Sequence, residues 1–162
     1  MTGLSEILLL GDPNLYKVSL PVTRSEWPSL QPVVRKMADL IVAFRVRYGK
    51  GRGIAAPQIG VLKRLIVLNI DKPVIIINPE IEFPNQDKFS LWDDCMSFPN
   101  LLVRVERYQH CHLRFLDENW KQHSWILEGD MAELIQHEFD HLDGILATQR
   151  AIDTQSFRII NI

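Results

Sequence analysis

A chain of 162 residues with a formal net charge of −2, 46% hydrophobic and 23% charged, has the composition of an ordinary globular domain long enough to bury a real core. The near-neutral charge gives no electrostatic reason to expect nucleic acid as the main ligand, and no stretch approaches a membrane span. Two cysteines, Cys95 and Cys111, make no secreted disulfide framework. The one apolar run near the start, Ile7 to Leu10, has neither a basic lead nor a small-residue cleavage site, so it is no signal peptide. The expectation is a single soluble domain over residues 1–162 in a reducing, cytoplasmic compartment, with an organelle left open.

Residues 4–22 are predicted as an extended arm broken by the turn signal Gly11-Asp12-Pro13-Asn14. From Ser29 to Tyr48 the apolar residues Val33, Val34, Met37, Leu40, Ile41 and Phe44 recur at three and four, with charges between them. That spacing predicts an amphipathic, core-packing helix. Three glycines between Gly49 and Gly53 end it. Two β-branched runs follow, Leu65 to Asn69 and Val74 to Asn78, joined by Asp71-Lys72-Pro73 as a hairpin. Further strands are predicted over Leu101–Val105, His110–Leu116 and Ser124–Leu127, with Asp117-Glu118-Asn119 turning between the last two. Strands grouped between helices, without regular alternation, point to an α+β fold.

The final helix carries the chemistry. Gln136-His137-Glu138-Phe139-Asp140-His141 contains H-E-x-x-H, which puts two imidazoles on one helix face with a carboxylate beside them. Asp130 and Glu133 resemble a capping box at its start, Met131, Leu134, Ile135, Phe139, Leu142 and Ile145 recur at helical spacing, and Gly144 is the expected stop. Such a site needs a third ligand. Cys95, in Trp92-Asp93-Asp94-Cys95-Met96-Ser97-Phe98-Pro99, completes a Cys-His-His set with an open fourth position. A third stretch, Gly51-Arg52-Gly53-Ile54-Ala55-Ala56-Pro57-Gln58, allows close backbone approach to a ligand and presents a Gln amide. It lacks the Lys-Ser/Thr ending of a phosphate loop.

These three stretches, in this order and approximate spacing, resemble the signature motifs of peptide deformylases, and Gly11-Asp12-Pro13, Asn78-Pro79-Glu80-Ile81 and Phe98-Pro99 extend the resemblance over nearly the whole chain. The resemblance implies an α+β fold with antiparallel sheets around a central metal-binding helix. It implies hydrolytic removal of formate from N-formylmethionine on nascent polypeptides, met at the ribosome. Cys95, His137 and His141 would hold one divalent ion, ferrous iron by preference, with zinc, nickel or cobalt able to substitute. Glu138 would move the proton, Gln58 and the Met96 backbone N–H would stabilise the formyl oxygen, and Gly53 would pair with the peptide as an added strand. Asp93 would pair with Arg107 behind the site. The methionine side chain needs an apolar pocket, expected along the helix face beside His137 and near Met96.

Against the family pattern, Met96 for a leucine is a mild departure and Asp93 for a glutamate keeps the charge with a shorter reach; two further positions depart more sharply. Asp94 stands where a glycine is usual, and Arg52 where an apolar residue is common. Both are expected near the substrate, either facing each other as an ion pair or reading a polar substrate group. They raise two alternatives: an enzyme for a different formylated substrate, and a metal-binding protein that recognises formylated N-termini without turnover. Elsewhere, His110 and His112 share a strand face without an acid or cysteine in register, Cys111 points into the core, His123 is exposed, Tyr108, Trp120 and Trp125 pack on strands, and Trp92 walls the cleft.

Overall fold

The structure, a computed structural model, describes residues 3–161. In chain order it contains helix α1 (Trp27–Tyr48), strands β1 (Gly53–Ala55), β2 (Leu65–Asn69), β3 (Pro73–Glu82), β4 (Lys88–Cys95), β5 (Phe98–Tyr108), β6 (His110–Leu116) and β7 (Gln122–Glu128), helix α2 (Gly129–Leu142) and strand β8 (Phe157–Ile159). Five strands form one antiparallel sheet in the order β1-β2-β3-β6-β7, and three form another in the order β4-β5-β8. The α+β expectation holds.

Strand β2 explains how the layers stack. All five of its residues are buried, which is why Leu65 to Leu68 read as an unbroken apolar run. Leu65 and Val67 face the buried stripe of α1, Leu30, Val34, Met37, Leu40, Ile41 and Phe44. Ile66 and Leu68 face the other way, onto Ala132, Leu134, Ile135 and Leu142 of α2, as the period of two requires. A third cluster, with Leu15, Cys95, Phe98, Val103 and Val105, closes over the second sheet. Helix α2 touches both sheets, and ten of its 14 residues are buried. It is a central rod rather than a helix with one dry face.

Several local expectations are corrected. The N-terminal arm is not simply extended: it holds 3-10 turns at Leu4–Glu6 and Pro13–Tyr16 and is strapped down by N–H donation from Leu8 to Gln58 O (2.7 Å) and from Leu10 to Ser97 O (2.9 Å). Asp130 does not cap α2. The helix starts two residues earlier, at Gly129 behind Glu128, no side chain caps it, and Glu133 is held by Arg52 instead. Strand β3 runs past Asn78, whose left-handed φ of 49° breaks the register there. The Asn78 amide grips the Val22 N–H and C=O at 2.8 and 2.9 Å, which supports a conformation that asparagine tolerates better than most residues. Gly144 ends the helix region at φ 72°, and a Cβ there would lie 2.5 Å from Tyr16 O, so only glycine fits.

Candidate metal centre

His137 and His141 project from one face of α2, and Cys95 reaches them from the last position of β4. The three donor atoms lie within 4.8 Å of one another, and among the described residues this is the one group of its kind. Cys95 Sγ is 3.4 Å from His141 Nε2, and all three residues are at most 6% exposed. Behind His137, Asp93 Oδ2 lies 2.9 Å from Nδ1, so the other ring nitrogen faces the cluster. A thiolate and two imidazoles, one backed by a carboxylate, fit a first-row divalent metal.

That carboxylate belongs to a longer chain of charge. Arg107 Nη2 donates to Asp93 at 3.1 Å and Nη1 donates to Asp140 at 2.6 Å. Arg150 then donates twice to Asp140, at 2.9 and 3.0 Å. Charges from His137 and Arg107 overcome burial and hold the Asp93 carboxyl down at about 2. Asp140 and Arg150 were not anticipated from sequence. The available signal was a charge at Asp140, between the two histidines of a helix otherwise destined for the core.

Glu138 is the exception to this pairing. It is 4% exposed, and its Oε2 has no partner. Burial pushes its carboxyl up to about 7, with His137 and Arg52 opposing the shift and Asp93 and Glu133 adding to it. Gly53 lies against it: a Cβ there would sit 3.3 Å from Glu138 Oε1 and 2.8 Å from Leu68 Cδ2. Gln58 sits in a 3-10 turn spanning Ala56–Ile59. Its Oε1 accepts from the Ala55 N–H at 2.9 Å, which leaves Nε2 donating to Ser97 Oγ at 3.1 Å and 3.5 Å from Cys95 Sγ. Met96 and Ser97 form the two-residue turn between β4 and β5, since Cys95 pairs with Phe98.

A sequence model of the polypeptide deformylase family matches residues 4–157. The peptide deformylase of Leptospira biflexa is 34% identical over 166 residues, covering 94% of this chain and 90% of that protein. The crystal structure of the Synechococcus elongatus enzyme superposes with a TM-score of 0.84 at 32% identity, covering 93% of this chain and 80% of that one. That of the Thermotoga maritima enzyme gives 0.82 at 32% identity, covering 91% and 97%. The chain belongs to the peptide deformylase family. It is therefore a metal-dependent hydrolase of the type that takes the formyl group from N-formylmethionine on nascent chains.

The two departures from the deformylase pattern resolve differently from the expected pairing. Arg52 does not pair with Asp94. Its Nη2 lies 2.5 Å from Glu133 Oε1, while Asp94 Oδ2 lies 3.4 Å from Lys50 Nζ. Both pairs line a cavity of about 330 Å³ that also touches Gly53, Met96, Leu134, His137 and Glu138. The helix face beside His137, expected to be apolar, thus presents a charge at Glu133. Trp92 does not wall this cavity; the Arg158 guanidinium covers its ring at 4.2 Å. His123 is half-buried, 2.6 Å from Asp117 and stacked on Phe115. His110 faces Glu128 at 3.7 Å, and Cys111 is fully buried, its thiol pushed up to about 11 by burial.

Proposed function

We propose that this chain, as one catalytic domain, hydrolyses N-terminal formamides with Cys95, His137 and His141 as metal ligands and Glu138 as the proton carrier. The observation that carries the reading is the unpaired Glu138 carboxylate, buried beside three converging donors and tuned to about 7. A group whose pKa lies near the working pH can both accept and return a proton.

Cys95, His137 and His141 would hold the divalent ion, which would supply Lewis acidity and lower the pKa of water near the site. Glu138 takes the proton from the attacking water and delivers it to the departing amine. The Gln58 Nε2, aimed by the Ala55 N–H behind its carbonyl, donates to the formyl oxygen as that oxygen gains charge, with the Met96 backbone N–H as second donor. Removing one such donor typically costs ~10²–10³ in rate. Asp93 orients His137, and Arg107 holds Asp93. Among the described residues, strand β1 pairs on one side only, with β2, so its free edge beside Gly53 accepts the substrate backbone as an added strand.

The metal is ferrous iron in this reading, with zinc, nickel or cobalt as substitutes, because a Cys-His-His set accepts several and supply decides. The polypeptide partner is the nascent chain at the ribosome, in the cytoplasm. Among the described residues, no helix is long and apolar enough to cross a membrane.

The test is formate release from formyl-Met-Ala-Ser by anaerobically iron- or nickel-loaded protein, with Glu138→Ala as the blank. Turnover at kcat/KM of about 10⁴ M⁻¹s⁻¹ or more is expected, falling by ~10²–10⁴ in the variant. Release no faster than the blank from metal-loaded protein would overturn the assignment of Glu138.

A further inference from the structure

Helix geometry places Glu133 one turn before His137 on the same face of α2, and Arg52 directly precedes the free edge of β1 at Gly53. Their ion pair spans the cavity from strand to helix beside the metal ligands. A substrate lying along β1, with its formamide at Cys95, His137 and His141, sends its first side chain into this space. On the reading of that cavity as the substrate groove, we infer that the enzyme prefers N-formyl residues with an uncharged hydrogen-bonding side chain, an amide above all, over N-formylmethionine.

The pair is only half satisfied by itself. Arg52 uses one N–H of its guanidinium on Glu133 Oε1, and among the described residues the second oxygen of Glu133 has no hydrogen-bond partner. Glu133 is 7% exposed and Arg52 40%, so a side chain entering here takes water away from both. A thioether returns nothing for that water. A side-chain amide accepts from a free Arg52 N–H with its oxygen and donates to the free Glu133 oxygen with its nitrogen, leaving the pair intact. A charged side chain competes for one partner and leaves the other unpaired, which is costly at the buried Glu133. Leaving such groups unpaired lowers binding by roughly ten- to a hundredfold, and that sets the expected size of the preference.

The experiment compares formyl-Gln-Ala-Ser, formyl-Met-Ala-Ser and formyl-norleucine-Ala-Ser on the metal-loaded full chain, by formate release. The same peptides are titrated by calorimetry into metal-loaded Glu138→Ala, which reads binding without turnover. The Gln peptide is expected to lead both others by about tenfold or more, in kcat/KM and in binding. In the double variant Arg52→Leu, Glu133→Leu, which removes both charges together, the order is expected to reverse. A wild-type chain that binds the Met or norleucine peptide as well as the Gln peptide overturns the inference, whether or not the double variant folds. So does a folded double variant with an unchanged order. A Gln preference in binding, with no formate from any peptide, supports the pocket and overturns the hydrolytic reading instead.

Discussion

At Gly53 a single methyl group decides whether Glu138 keeps its place. The residue has no left-handed backbone to explain its glycine; its Cβ position is taken by Leu68 Cδ2 at 2.8 Å and crowded by Glu138 Oε1 at 3.3 Å. Leu68 is a flexible neighbour and can give, but Glu138 is buried and has little room. Gly53→Ala is therefore expected to cost about 1–3 kcal/mol of stability through overpacking. Its larger effect falls on activity, about a hundredfold in kcat/KM, because a shift of ~1 Å in a positioned group has that consequence. Paired urea unfolding and formate-release assays check both, and full activity in a correctly folded Gly53→Ala protein would show that Glu138 is not confined as described.

Helix α2 carries the argument at the scale of the element. Glu133, Gln136, His137, Asp140 and His141 are all buried on it, and each answers to a neighbour on a different element. Gln136 grips the Tyr108 N–H and C=O at 2.9 and 2.8 Å, tying the end of β5 to the helix. Arg107, on β5, is 3% exposed between Asp93 and Asp140. Removing it leaves Asp93 with His137 alone and Asp140 with Arg150 alone, so Arg107→Met is expected to destabilise by about 3 kcal/mol without altering the dependence on denaturant. Arg114, exposed between Glu80 and Glu82, is the control, and its alanine variant should unfold where the wild type does. Equal stability of the two variants would mean that the charge chain behind His137 is not structural.

For the whole molecule, the three candidate metal donors join separate parts of the fold. Cys95 belongs to the three-stranded sheet and both histidines to the central helix, while the N-terminal arm crosses over Gln58 and Ser97. A ligand that binds only the assembled set stabilises by mass action, about 2.7 kcal/mol at a hundredfold its Kd. For a chain of this size that raises Tm by roughly 5–10 °C. Stripping the metal with a chelator should lower Tm by that amount, with far-ultraviolet dichroism unchanged at 25 °C because the hydrophobic clusters persist. A Tm indifferent to metal and chelator would exclude the three donors as a joint site.

The sequence by itself determined the long helix, the β2–β3 and β6–β7 hairpins, the α+β class and the three stretches bearing Gln58, Cys95 and His137 to His141. The helix, the hairpins and the H-E-x-x-H pattern rest on local signals, periodicity, turn residues and spacing along one helix, while the Gln58 and Cys95 stretches rest on the resemblance to peptide deformylases. Strand β4 escaped because its inward positions include Asp93 and Cys95, which break the apolar alternation that marks a strand. Strands β1 and β8, at three residues each, are too short to show a period. Glu133 looked like a cap because only its distance along the chain from Asp130 was visible. The partner that claims it is Arg52, 81 residues away in sequence. The choice of Arg52's partner, the charge chain from His137 to Arg150 and the charged wall of the cavity were decided by tertiary structure alone. Pairing between distant charges depends on which strand edge faces which helix turn, and no local pattern encodes that.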